Sequence, residues 1–97
     1  MKLLIEIPRS DIKEAMDFYE ANPINVEVIV TKKFEGALDI INMIVDVTTA
    51  FGPYVIDYLI KRKEEGKKST IKIKGIEYEY DTREELEEII KSAQEEE

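Results

Sequence analysis

Apolar and polar positions alternate along Lys2–Ile7, with Leu3, Ile5 and Ile7 on one side and Glu6 on the other, the period of a half-buried strand. Pro8 ends that run. Ser10 or Asp11 can then cap a helix, because Glu14 lies three residues beyond Asp11 and Ile12, Ala15, Met16 and Tyr19 recur at helical spacing as far as about Ala21. Asn22-Pro23 breaks the helix, since proline drives the preceding residue out of the helical region. A second strand is predicted over Asn25–Thr31, where Val26, Val28 and Val30 share a face.

The least ordinary segment is Ala37–Ile60, in which 16 of 24 residues are apolar or aromatic although Asp39, Asp46 and Asp57 recur through it. Read at 100° per residue, Asp39, Asn42, Asp46, Thr49, Pro53 and Asp57 gather into a polar stripe of roughly 80°. The remaining circumference carries Ile44, Val45, Phe51, Val55, Tyr58 and further aliphatic side chains. This pattern predicts one bent helix or two helices, divided near Thr49–Gly52 by Phe51-Gly52-Pro53 and ending at Gly66 after the basic turn Lys61-Arg62-Lys63.

Thr70–Tyr80 predicts a hairpin. Lys74-Gly75 as a two-residue turn sets Ile73 against Ile76, Ile71 against Tyr78 and Lys72 against Glu77. Thr82 and Glu85 form a capping box for a last helix with Leu86, Ile89 and Ile90 as its apolar stripe, and the acidic residues 94–97 are expected to fray. The expected fold is therefore α+β in the order β-α-β-α-α-β-β-α, a four-stranded mixed sheet with helices mainly on one face. At 97 residues it is read as one domain.

Composition narrows the chemistry. The chain has neither His nor Cys, which removes imidazole bases, thiolate nucleophiles, disulfides and thiolate zinc sites. No catalytic residue, metal ligand or cofactor is expected. Asp39 and Asp46 lie seven residues apart, about 10 Å along a helix, too far to share a cation. Gly36, Gly52, Gly66 and Gly75 are isolated and form no phosphate loop.

A formal charge of −8 disfavours nucleic acid as partner, and the basic run through Lys61, Arg62, Lys63, Lys67 and Lys68 is interrupted by Glu64 and Glu65. No export signal is visible, three Asp residues oppose membrane insertion of Ala37–Ile60, and the expected compartment is the cytoplasm. What the long segment suggests is a partner. A sheet covers one side of it, so an apolar strip with Ile44, Val45, Phe51, Tyr54, Val55 and Tyr58, beside the polar stripe of Asp39, Asn42, Asp46 and Asp57, is expected to meet another protein or a second copy. On that reading Val45→Glu or Tyr54→Asp breaks an oligomer and leaves a folded monomer.

Four marks in this order resemble the effector-associated constant component family of bacterial conflict systems. They are Glu35-Gly36-Ala37-Leu38-Asp39, the break Thr49-Ala50-Phe51-Gly52-Pro53, the basic end Tyr58-Leu59-Ile60-Lys61-Arg62-Lys63 and the Gly turn Lys74-Gly75. The resemblance implies a non-catalytic adaptor or regulator accompanying effector domains. Two other classes stand beside it: an oligomeric small-ligand or nucleotide binder, such as a phage-encoded sponge with a pocket of Tyr and Lys between protomers, and a designed scaffold, suggested by the regular pairing and capping of Ser69–Lys91.

Overall fold

The computed structural model describes residues 1–31 and 40–96. Strand β1 (Lys2–Pro8) leads through a 3-10 turn at Arg9–Asp11 into helix α1 (Ile12–Ala21), followed by β2 (Val26–Thr31) and β3 (Ile40–Asp46). Helix α2 (Gly52–Glu64), strands β4 (Thr70–Ile73) and β5 (Ile76–Tyr78) and helix α3 (Arg83–Glu95) complete the chain. Among the described residues all strand pairs are antiparallel, in one five-stranded sheet ordered β2-β3-β1-β4-β5.

The α+β class holds, whereas the four-stranded mixed sheet is replaced by five antiparallel strands. The fifth strand is the first half of the long apolar segment, which forms β3 and not a helix. Its side chains alternate: Ile41, Met43 and Val45 are buried, while Ile40, Asn42 and Ile44 are half-buried and Asp46 is exposed. Asn42 and Asp46 are four residues apart, a spacing that fits one helix face and one strand face equally well. The β-branched residues and the pairing of β3 with both β1 and β2 decide for the strand. Asp39 lies outside the described residues.

The second half is a helix, and Pro53 sits in its first turn. There a missing amide hydrogen costs nothing, so proline starts α2 and does not kink it. At the other end Gly66 adopts φ 73°, and two amides turn back, Gly66 N–H to Lys63 C=O at 3.0 Å and Lys67 N–H to Arg62 C=O at 2.9 Å. This pairing closes the helix and aims residues 67–69 back along its flank.

The hairpin follows the expected register, Ile73↔Ile76, Lys72↔Glu77 and Ile71↔Tyr78, with Lys74 and Gly75 both at positive φ as a primed turn demands. Thr82 accepts the Glu85 amide at 3.2 Å, so the expected cap is present, and α3 continues to Glu95. Asp11 precedes α1, but its side chain caps nothing.

Among the described residues, the helices cover one face of the sheet and none covers the other. Leu3, Ile5 and Ile7 of β1, Ile41, Met43 and Val45 of β3, and Ile71 and Ile73 of β4 are buried with Ala15 of α1, Val55 and Leu59 of α2, and Leu86 and Ile90 of α3. The opposite face carries Leu4 and Ile44, half-buried, with Glu27, Ile29 and Lys72. No helix among the described residues is long and apolar enough to cross a membrane.

Candidate functional site

The most concentrated polar chemistry lies where the end of α2 meets the start of α1 and the loop before β4. Along α2 the buried stripe runs Val55, Leu59, Arg62, at positions i, i+4 and i+7, so the helix carries a guanidinium into the interior one turn beyond Leu59. Arg62 is fully buried and is held on every side. Its Nε donates to Ser69 Oγ at 2.6 Å, Nη1 to Glu14 Oε1 at 3.1 Å, and Nη2 both to Asp11 Oδ2 at 3.0 Å and to the Lys68 carbonyl at 2.6 Å.

Two carboxylates are needed because Lys67 joins the same cluster, its Nζ 2.7 Å from Glu14 Oε2. Asp11 and Glu14 thus balance Arg62 and Lys67. Arginine suits this position because its planar fork can serve several acceptors at once without giving up its proton. Burial pushes the Glu14 carboxyl upward, but the hydrogen bonds from Lys67 and Arg62 outweigh it and hold the group below its usual value of 4.5. The bond to Glu14 in turn raises the Lys67 ammonium above its usual 10.5.

Two grooves open beside this cluster, and Lys67 lines both. The first, about 540 Å³, runs between α1 and α2 past Asp11, Glu14, Phe18, Tyr58 and Lys61. Tyr58 stacks on Phe18 with ring centroids 4.4 Å apart. Burial raises its hydroxyl pKa, reinforced by the negative charge of Glu14.

The second groove, about 510 Å³, lies between the end of α2 and the β4–β5 hairpin. Lys63, Lys67 and Lys68 supply its cations, Tyr78 and Tyr80 its rings, and Glu77, Glu79 and Asp81 the opposing carboxylates. Lys63 Nζ stands 5.2 Å from the centroid of the Tyr80 ring and 3.6 Å from Asp81. Such a groove offers ammonium groups to an anion and carboxylates to hydroxyl or amino groups. Among the described residues, no three acidic side chains gather closely enough to hold a metal ion.

The residues expected to form an apolar interaction strip do not lie together on a surface. Val45, Phe51, Val55 and Tyr58 belong to the core, each at most 9% exposed. Ile44 sits on the helix-free face of the sheet, and Tyr54 is 61% exposed beside Phe51. The expected polar stripe is likewise divided: Asn42 and Asp46 belong to β3, and Asp57 of α2 pairs with Arg83 of α3. The division follows from the strand: residues 40–46 run with period two, and the 100° periodicity begins only at Gly52.

The sequence alone does not mark Arg62, Asp11 and Glu14 as binding residues. Arg62 looks in sequence like part of a cationic helix end, and Asp11 like a cap. The legible signal was the stripe position of Arg62, i+3 from Leu59, which puts it on the buried side.

No family model matches the chain, and no curated protein matches it in sequence. Among solved structures, the fold is similar to CPII, a nitrogen regulatory PII-like protein from Thiomonas intermedia K12 whose structure holds ADP, AMP and bicarbonate. The match has a TM-score of 0.53 and 15% identity, and covers 84% of this chain and 93% of that one. At that identity the likeness is one of fold alone. The resemblance to effector-associated constant components stays an expectation about partners that the comparison does not address.

Proposed function

We propose that the protein is a non-catalytic regulatory module that binds a small anionic ligand of the nucleotide class in the groove between the end of α2 and the β4–β5 hairpin. The observation that carries this reading is the wall of Lys63, Lys67 and Lys68 beside Tyr78 and Tyr80. Phosphates fit the ammonium groups, a base fits against a tyrosine ring, and ribose hydroxyls find acceptors in Glu77 or Glu79. The fold supports it, since the similar PII-like protein was solved with ADP and AMP bound. The absence of His and Cys from the sequence agrees with a ligand sensor more than with an acyl- or thiol-transfer enzyme.

The same reading gives the helix-free sheet face to a second copy. Leu4 and Ile44 are cross-strand partners there, Ile29 is 42% exposed, and the Glu6–Lys72 pair flanks them at 3.3 Å. An apolar centre with a charged edge is the composition of an interface between like subunits.

Calorimetric titration with ADP tests the ligand. A saturable isotherm is expected, weakened at least tenfold in Lys68→Glu. Absence of heat with ADP, AMP and ATP at millimolar concentration overturns the reading.

A further inference from the structure

Lys67 borders both grooves, yet its ammonium group is already engaged by Glu14. The two oxygens of that carboxylate are divided, Oε1 accepting from Arg62 at 3.1 Å and Oε2 from Lys67 at 2.7 Å. The two cations are unequal partners. Arg62 is wholly buried and bonded to four groups, while the Lys67 side chain, with Glu65 Oε1 more distant at 4.0 Å, is 35% exposed on a flexible four-carbon stem.

If Lys67 swings away, Glu14 keeps Arg62, Arg62 keeps Asp11, and no buried charge is orphaned. The loop backbone need not move. It is held by the Gly66 turn, by the Lys67 amide on Arg62 C=O at 2.9 Å, and by the hydrogen bonds from Arg62 to Lys68 C=O and Ser69 Oγ.

We propose that Glu14 is a built-in competitor of the ligand: its carboxylate parks Lys67 on the α1 side, and an anion entering the hairpin groove takes Lys67 by displacing it. The proposal rests on the ligand reading above and adds to it the residue that sets affinity. Glu14 lies on a different element from the groove, so the strength of binding depends on how α1 sits against α2. Anything that shifts the start of α1 changes the anion site without touching it.

The experiment is a calorimetric titration at low ionic strength of the wild type, Glu14→Gln, Lys67→Met and the double variant, using ADP and, separately, inorganic tripolyphosphate. Glutamine keeps the shape and a carbonyl for Arg62 but no longer holds Lys67 by charge. Glu14→Gln is expected to tighten binding roughly two- to fivefold, the effect of removing a competing half-exposed ion pair. The gain must vanish in the Lys67→Met background. Equal or weaker binding in Glu14→Gln overturns the proposal, as does a gain that persists without Lys67, which reports only the lower overall negative charge. A Lys67-dependent gain with tripolyphosphate but no binding of ADP supports the competitor and overturns the nucleotide reading. No binding of either probe to wild type or Glu14→Gln overturns both. Thermal melts of all four proteins confirm that each is folded.

Discussion

Replacing Arg62 by Met measures how much of the domain hangs on one buried guanidinium. Methionine fills much of the same space, so the loss is one of polar contacts: two carboxylate partners, one backbone carbonyl and one hydroxyl. Removing one partner of a buried pair costs about 3–5 kcal/mol. Asp11 and Glu14 retain 19% and 27% side-chain exposure, so water partly replaces the arginine and the lower end, about 3 kcal/mol, is expected.

For a domain of this size that is a fall of roughly 12–24 °C in Tm, or about 1–3 M in the urea midpoint at unchanged slope. Urea denaturation followed by circular dichroism at pH 7 is the assay. Arg62→Lys recovers part of the loss, because an ammonium keeps the charge but cannot reach four partners at once. At low pH the gap between wild type and Arg62→Met narrows as Glu14, whose folded-state pKa is held below its usual value, takes up a proton. A loss under about 1 kcal/mol, the range of a solvent-exposed pair, refutes the reasoning, and so does a gap that ignores pH.

Three further outcomes follow from the same geometry. Val45 is fully buried on β3, so Val45→Glu unfolds the domain, whereas Tyr54→Asp at an exposed site leaves the melt within about 0.5 kcal/mol of wild type by denaturant titration. Glu14 has its folded-state pKa depressed, so its contribution is complete above 4.5 and is lost as pH falls through the folded value; the midpoint difference between wild type and Glu14→Gln is flat from about pH 5 to 9 and shrinks below that. Ile44→Lys on the helix-free face leaves the core intact and shifts an oligomer to monomer in sedimentation velocity; an unchanged assembly contradicts the assignment of that face to a second copy.

What could be read from the sequence was local. The Lys74-Gly75 turn fixes its own register, and Thr82 with Glu85 caps a helix without help from the rest of the chain. Ile40–Asp46 defeated the same approach, because its apolar residues are dense enough to suit either period. Only its pairing with β1, far off in the sequence, and with the preceding strand β2 makes it a strand. The expected interaction strip is divided for the same reason, since a helical wheel drawn through a strand brings together residues that the sheet separates. Asp11 shows the second limit. Its position before a helix predicts a cap, but its carboxylate serves Arg62, which lies 51 residues away. Pairings of that range leave no local trace, and the Arg62 cluster beside the groove is held by them.

The central claim is that an anionic ligand of the nucleotide class occupies the groove between α2 and the hairpin. Two-dimensional amide NMR during an ADP titration tests it most directly. A ligand in this groove gives saturable shifts concentrated at Lys63, residues 67–70 and residues 78–81; no saturable shifts, or shifts gathered elsewhere such as along α3, overturn the assignment.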